Sequence, residues 1–289
     1  MELVIFLQSN LYVPLIIAGI LGLIIGSFLN VVIIRYPIML QAKWRRECQH
    51  YLKLPVEEIK KRYNLLIPRS HCPHCKTPIK WRHNIPIISY FILLGRCASC
   101  KKKISPIYTM VEILTCVLTI LTVSHFLITW EMLAALLMTW ALIVLCFVDL
   151  RTQLLPDTIT LTMLWLGLLL SLFNVFVSPY QAVLGAILGY GILWIAAWLY
   201  KIIRRKDGMG HGDLKMLGML GAWFGAPMVL NVLIMAIILA LIASFFLLSF
   251  RKITTKKPIP FGPFIAIAGW VSMMNGPTLL HWIIAGLSH

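Results

Sequence analysis

"KDGMGHGDLKMLGMLGAWFGA", residues 206–226, decides how this chain is folded: after Asp213 it is apolar enough to enter a membrane, yet barely long enough to cross one. Around it lie 289 residues that are 60% hydrophobic and only 12% charged, with a mean hydropathy of +0.87. That composition belongs to a polytopic membrane protein rather than a soluble domain. Apolar runs occupy Leu11–Ile34, Ile107–Phe126, Glu131–Val148, Thr158–Val177, Gln181–Ile203, Leu214–Ala226, Val229–Phe250 and Phe261–Ile284. The last carries a break signal at Asn275-Gly276-Pro277. The first has no basic segment before it and exceeds the length of a signal-peptide core, so it reads as a retained span. The fold class expected is all-α, with about eight transmembrane helices and a small cytosolic loop module between the first two.

The basic residues test whether Leu214–Ala226 crosses. Sixteen fall in Arg35–Lys103, one is Arg151, five lie in Lys201–Lys215 and four in Arg251–Lys257, which accounts for all 26. Cytoplasmic flanks collect Lys and Arg. With eight spans and the N-terminus outside, all four segments share the cytoplasmic side. Without the short span, Arg251–Lys257 would be exported. The net charge of +16 is thereby explained by topology and by anionic lipid headgroups, not by nucleic acid, for which no aromatic-basic motif is present.

The one sizeable polar segment, Arg35–Pro106, contains "CPHC" (Cys72, Cys75) and "CASC" (Cys97, Cys100), two C-x-x-C pairs separated by 21 residues. Each pair presents two sulfurs from one tight turn, a pattern close to that of four-thiolate zinc sites. Disulfides are the alternative, but the reducing cytosol disfavours them. Four thiolates leave no open coordination position, so the expected role of zinc is structural. His71 or His74 could replace one cysteine.

Of the ten acids, Glu112, Asp149, Asp157 and Asp213 lie in or beside spans, where acids are costly and mark function. Asp157, after Pro156, reads as a helix N-cap. Glu112 is open between a structural and a site-supporting role. Asp149 ends the run "ALIVLCFVD" at a helix C-terminus, where the macrodipole disfavours negative charge and capping is no explanation. Asp213 begins a span, so it could cap that helix. Both acids nevertheless fall at cytoplasmic ends, where two carboxylates can share a proton and hydrolyse a peptide as an aspartic dyad. Gly208, Gly210 and Gly212 would let backbone approach backbone and reach positive φ, so that a substrate strand could lie close beside them. The small-x-x-x-small pairs Gly22–Gly26, Gly185–Gly189 and Gly221–Gly225 read as helix-packing sites. A proton-coupled transporter is the non-enzymatic alternative, although transporters place such acids nearer the midplane.

"GHGD" (Gly210–Asp213) resembles the G-x-G-D signature of intramembrane aspartyl proteases, and "FVDLRTQLLPDTITL" resembles the first-aspartate segment of type 4 prepilin peptidases. "GSFLNVVIIRYP", "HCPHC…NIPIISY…GRCASC…ISPIYTMVE" and "PFGPFIAIAGW" resemble the same family in the same order. The resemblance implies a bacterial inner-membrane enzyme that removes the leader from type IV prepilins and type II secretion pseudopilins at the cytoplasmic face. It further implies methylation of the new N-terminus with S-adenosylmethionine, the alternative being a leader peptidase without methyltransferase activity. On this resemblance Asp149 and Asp213 take the catalytic positions. Cys72, Cys75, Cys97 and Cys100 take the metal positions, and Gly210, Gly212 and Glu112 face or support the substrate. The expected domains are a first transmembrane helix (1–34), a cytosolic four-cysteine module (35–106) and a transmembrane aspartyl protease domain (107–289). No glycine-rich βαβ fingerprint is present for the methyl donor, so no residue is assigned to it.

Overall fold

Each of the eight apolar runs becomes a helix in the computed structural model, which describes residues 12–55, 63–80, 85–206, 208–249 and 259–276. In chain order the helices are α1 (Tyr12–Tyr51), α3 (Ile107–Phe126), α4 (Trp130–Thr152), α5 (Asp157–Ser171), α6 (Pro179–Arg204), α7 (His211–Phe224), α8 (Ala226–Ser249) and α9 (Gly262–Asn275), with the five-residue α2 (Ile88–Ile92), which belongs to none of the runs, between α1 and α3. Among the described residues the only β-structure is two isolated bridges. Five helices, α1, α3, α4, α6 and α8, are long and apolar enough to cross a membrane. The other three, α5, α7 and α9, have 15, 14 and 14 residues, fewer than the roughly 20 that span a bilayer. Arg251–Lys257, part of the charge map, and the end of the Phe261–Ile284 run lie outside the described residues.

The first helix does not stop at Ile34. It runs for 40 residues to Tyr51 and takes in part of the segment expected to be loop. Beyond Arg35 the sequence turns polar without a glycine, and its Met, Leu, Gln, Ala, Lys, Arg and Glu residues are good helix formers. Only Pro37 interrupts, at the cost of one backbone hydrogen bond. At 1.5 Å per residue α1 is about 60 Å long, twice the hydrocarbon thickness, so its polar half continues past the apolar stretch.

Two compact units divide between Ile128 and Thr129. In the first, α1 lies along α3 at glycine contacts. A Cβ on Gly22 would come 2.7 Å from Cα of Cys116, and one on Gly26 2.9 Å from Cα of Glu112. Asn30 donates to the Tyr108 carbonyl at 2.9 Å. Buried Arg35 donates to the carbonyls of Asn64 and Leu65 at 3.1 and 3.2 Å and stacks over Tyr63, tying residues 63–67 to α1.

In the second unit α7 is the core. From Leu214 to Phe224 every residue except Lys215 is buried. A helix apolar on all sides belongs inside a bundle, where neighbouring helices rather than lipid set its length. α6 packs on it backbone to backbone: Gly185 faces the Gly221 carbonyl, and a Cβ on Gly189 would lie 2.5 Å from the carbonyl oxygen of Leu217. From α5, Gly167 makes room for the Trp223 indole, whose Nε1–H donates to the Met163 carbonyl at 2.6 Å. Asn231 donates to Ser272 at 2.7 Å between α8 and α9, and Trp270 to Thr139 at 3.2 Å between α9 and α4. Gly225 ends α7 at φ 80° with its backbone still against α6, where a Cβ on Gly185 would lie 2.8 Å from its carbonyl carbon, and Gly276 ends α9 at φ 71° where the break was expected.

Candidate active site and metal centre

Asp149 lies in the last turn of α4, the helix end at which its charge is least at home. Its carbonyl accepts the Gln153 N–H at 2.9 Å, where the chain turns left-handed at φ 54°. The side chain is 5% exposed, and its Oδ2 accepts a hydrogen bond from the backbone N–H of Gly262 at 3.1 Å. Gly262 is the first residue of α9, so an N–H that has no partner within its own helix is satisfied by an acid 113 residues away. A Cβ at 262 would come 2.6 Å from that same oxygen.

Asp213 is the third residue of α7, whose N-cap is Gly210 with no side-chain cap. It therefore does not cap the helix. Its Oδ1 is buried with no hydrogen-bond partner among the described residues. The Asp149 charge acts on Asp213, so the two acids lie within electrostatic reach of one another across α4 and α7. Leu155, in the turn after α4, sits between the flanking glycines: its Cβ is 2.7 Å from where a Gly212 Cβ would stand, and its Cδ1 3.3 Å from one on Gly262.

The remaining candidates fall elsewhere. Gly210 adopts φ −72° and has open space at its Cβ position, Gly212 rests on Leu155, and Gly208 rests on the Tyr200 ring. Gly210 and Gly212 do not take the positive φ expected of them, and what lies close to Gly208 and Gly212 is not backbone but the side chains of Tyr200 and Leu155. Asp157 is not the N-cap it was expected to be. It is the first helical residue of α5, after Pro156, and its Oδ2 pairs with Lys215 of α7 at 2.6 Å. In the first unit Glu112 accepts the Ile87 N–H at 2.9 Å, holding the loop before α2 onto α3.

The four cysteines converge in the first unit. Each C-x-x-C closes its own turn: the Cys72 and Cys97 N–H groups donate to the Thr77 and Lys102 carbonyls at 3.0 and 2.9 Å. Lys76 and Lys101, after the second cysteine of each pair, both take φ 58°. Sulfur separations are 3.9 Å for Cys72–Cys100 and for Cys75–Cys97, and all four sulfurs lie within 4.8 Å of one another. Zn–S bonds of about 2.3 Å require tetrahedron edges of about 3.8 Å. The set could hold one metal ion, without a histidine among its ligands. The thiols are not equivalent. Hydrogen bonds from the Thr77 side chain and backbone hold Cys75 down at about 6. Against the Lys102 N–H, which favours the thiolate, burial and the neighbouring thiols push Cys100 up to about 11.

The second unit thus holds two acids within electrostatic reach of one another, and the first a four-cysteine cluster that could hold one metal ion. Residues 20–126 match the bacterial peptidase A24 N-terminal domain, and residues 136–245 the type IV leader peptidase family. The chain is 42% identical over 271 residues to a prepilin leader peptidase/N-methyltransferase of Stutzerimonas stutzeri, covering 94% of each chain. It is 44% identical to that of Aeromonas hydrophila, over 91% of each chain. To that of Pseudomonas aeruginosa it is 41% identical, covering 96% of this chain and 95% of the other. The chain belongs to the type IV leader peptidase family. No solved structure matches it. The transporter alternative is not favoured.

Neither Gly262 nor Leu155 was among the expected site residues. The only signal for Gly262 was its place within "PFGPF", which gave no partner.

Proposed function

We propose that this chain cleaves the leader from type IV prepilins and type II secretion pseudopilins and methylates the N-terminus so exposed. The reading is supported by two acids, Asp149 and Asp213, within electrostatic reach of one another in a chain 42% identical, over 94% of its length, to a prepilin leader peptidase/N-methyltransferase. Two carboxylates brought together in a buried bundle share a proton rather than ionising independently. As water adds to the scissile carbonyl, one carboxylate accepts a proton from the water and the other gives a proton to the carbonyl oxygen. Collapse of the tetrahedral diol then breaks the C–N bond, and a proton passes to the departing amine. The substrate's apolar helix enters laterally among the spans while its basic leader stays in the cytosol. Gly210, with open space beside it, faces that substrate.

The distribution of the 26 basic residues supports an outside N-terminus and a cytoplasmic catalytic face in a bacterial inner membrane. Cys72, Cys75, Cys97 and Cys100 would hold zinc in a structural role, fixing two turns to each other. S-adenosylmethionine would supply the methyl group. The described residues offer no strand–turn–helix unit for it.

The test is incubation of the purified full-length chain with a prepilin and S-adenosylmethionine, read by mass. The expected product has lost its leader and gained one methyl group. Cleavage without methylation would reduce the enzyme to a leader peptidase. Cleavage retained by an Asp149→Ala/Asp213→Ala double variant would overturn the dyad.

A further inference from the structure

Asp149 needs an external restraint. It stands at the C-terminal end of its own helix, where the neighbouring backbone offers free carbonyls rather than N–H donors. Its Oδ2 is instead met by the Gly262 N–H at 3.1 Å, donated from the first turn of α9. That donor is fixed on its C-terminal side. Pro263 follows it, and α9 is held on the bundle by Trp270–Thr139 and Asn231–Ser272. The space is fixed too: a Cβ at 262 would stand 2.6 Å from Oδ2, 3.1 Å from Cγ of Asp149 and 3.3 Å from Cδ1 of Leu155. Any side chain there would displace the carboxylate.

We infer that Gly262 is a positioning residue of the peptidase, whose N–H and missing side chain together hold the Asp149 carboxylate in its working orientation. The inference rests on Asp149 acting as one half of the dyad. Gly262 acts on the reaction only through the Asp149 carboxylate that its N–H holds. A reacting group displaced by about 1 Å costs on the order of 100-fold in rate, so the effect should fall on turnover and not on substrate binding.

The same helix supplies a control. Gly269 is as crowded as Gly262, since its Cβ would meet Leu220 Cδ1 at 2.7 Å, but that neighbour is the mobile tip of an apolar side chain. Gly262→Ala should lower kcat for prepilin cleavage about 100-fold with KM within about twofold, while Gly269→Ala stays within about threefold of the parent. Equal losses in the two variants would mean that only the seating of α9 matters, and would overturn the inference. So would a Gly262→Ala enzyme of normal kcat. An Asp149→Ala enzyme that still cleaves would instead sink the dyad reading itself.

A second measurement needs no substitution at 262. The sequence contains two Phe-Gly pairs, Phe224-Gly225 and Phe261-Gly262. Labelling phenylalanine at its carbonyl carbon and glycine at nitrogen therefore isolates two amide signals by NMR. Removing the acceptor with Asp149→Ala should move one signal and leave the other, whose N–H is bonded to the Gly221 carbonyl, in place. If neither signal moves, the Gly262–Asp149 bond is absent and the inference falls.

Discussion

Replacing Trp223 by Phe tests how α7, and with it Asp213, is seated. The indole is 1% exposed, lies against Gly167 and donates its Nε1–H to the Met163 carbonyl at 2.6 Å. In lipid the usual transfer term is small, because unfolded spans are already in an apolar medium. What remains is packing and the hydrogen bond. Phenylalanine removes roughly 40 Å³ of ring, which at ~24 cal/mol per Å³ of cavity costs ~1 kcal/mol. The lost hydrogen bond adds about 1 kcal/mol. The expected destabilisation is therefore about 2 kcal/mol, measured by equilibrium unfolding in mixed lipid–detergent micelles. Prepilin cleavage should stay within about threefold of the parent, since Trp223 and Asp213 lie some 15 Å apart along α7. Gly167→Ala would place a Cβ 2.6 Å from Nε1 of Trp223. It should cost more alone than on the Trp223→Phe background. A loss below about 0.5 kcal/mol for Trp223→Phe, or additivity of the two changes within about 0.5 kcal/mol, would refute this account of the α5–α7 contact.

Asp149→Ala and Asp213→Ala should each lower kcat for cleavage by at least about 10⁴-fold, and the double variant should be no worse than either, because the pair acts as a unit; single-turnover cleavage read by mass decides it. The four-cysteine cluster should bind one zinc ion per chain, measured by metal analysis after gel filtration. Cys97→Ser should abolish that stoichiometry. Zinc affinity should fall as pH drops from about 8 to 6, because the ligands bind as thiolates and must release their protons. Cys75, held at about 6, is already largely ionised at neutral pH, whereas Cys100, pushed up to about 11, must lose a proton on binding. Proton release detected by calorimetry in buffers of different ionisation enthalpy checks this. Gly22→Leu or Gly26→Leu should separate α1 from α3, because the added Cβ already meets backbone, at 2.7 Å from Cα of Cys116 or 2.9 Å from Cα of Glu112. The expected cost is roughly 1–3 kcal/mol, read by the same unfolding assay. Gly191→Leu on α6, whose Cβ position has nothing within 4 Å, serves as the neutral control.

What was legible in the sequence was local. Apolar runs located eight helices because lipid, and for α7 the interior of the bundle, imposes a continuous hydrophobic signal. The cysteine cluster was legible because each C-x-x-C closes a turn within six residues, from Cys72 to Thr77 and from Cys97 to Lys102. The polar half of α1 was not, because beyond Arg35 the chain loses the hydropathy that marks a span while keeping residues that favour helix. Asp157 looked like a cap because Pro-Asp-Thr opens a helix whether the acid stands before it or in its first turn. Its partner Lys215 is 58 residues away. Gly262 was invisible for the same reason. A hydrogen bond across 113 residues leaves no periodicity or spacing in the sequence.

The two acids were distinguished in the sequence by the helix ends they occupy, and the structure inverts what those ends would lead one to expect. Asp213, placed where its own helix offers free N–H groups, takes none of them with its side chain and keeps Oδ1 buried without a partner. Asp149, placed where its own helix offers only carbonyls, receives an N–H from the start of α9. Each carboxylate is thus set by a helix other than the one that carries it, or left open. An acid whose only task was to cap α7 would be expected to bond that helix's first N–H groups. One carboxylate held by a fixed donor beside another with a free oxygen is an arrangement suited to exchanging a proton with a water molecule placed between them.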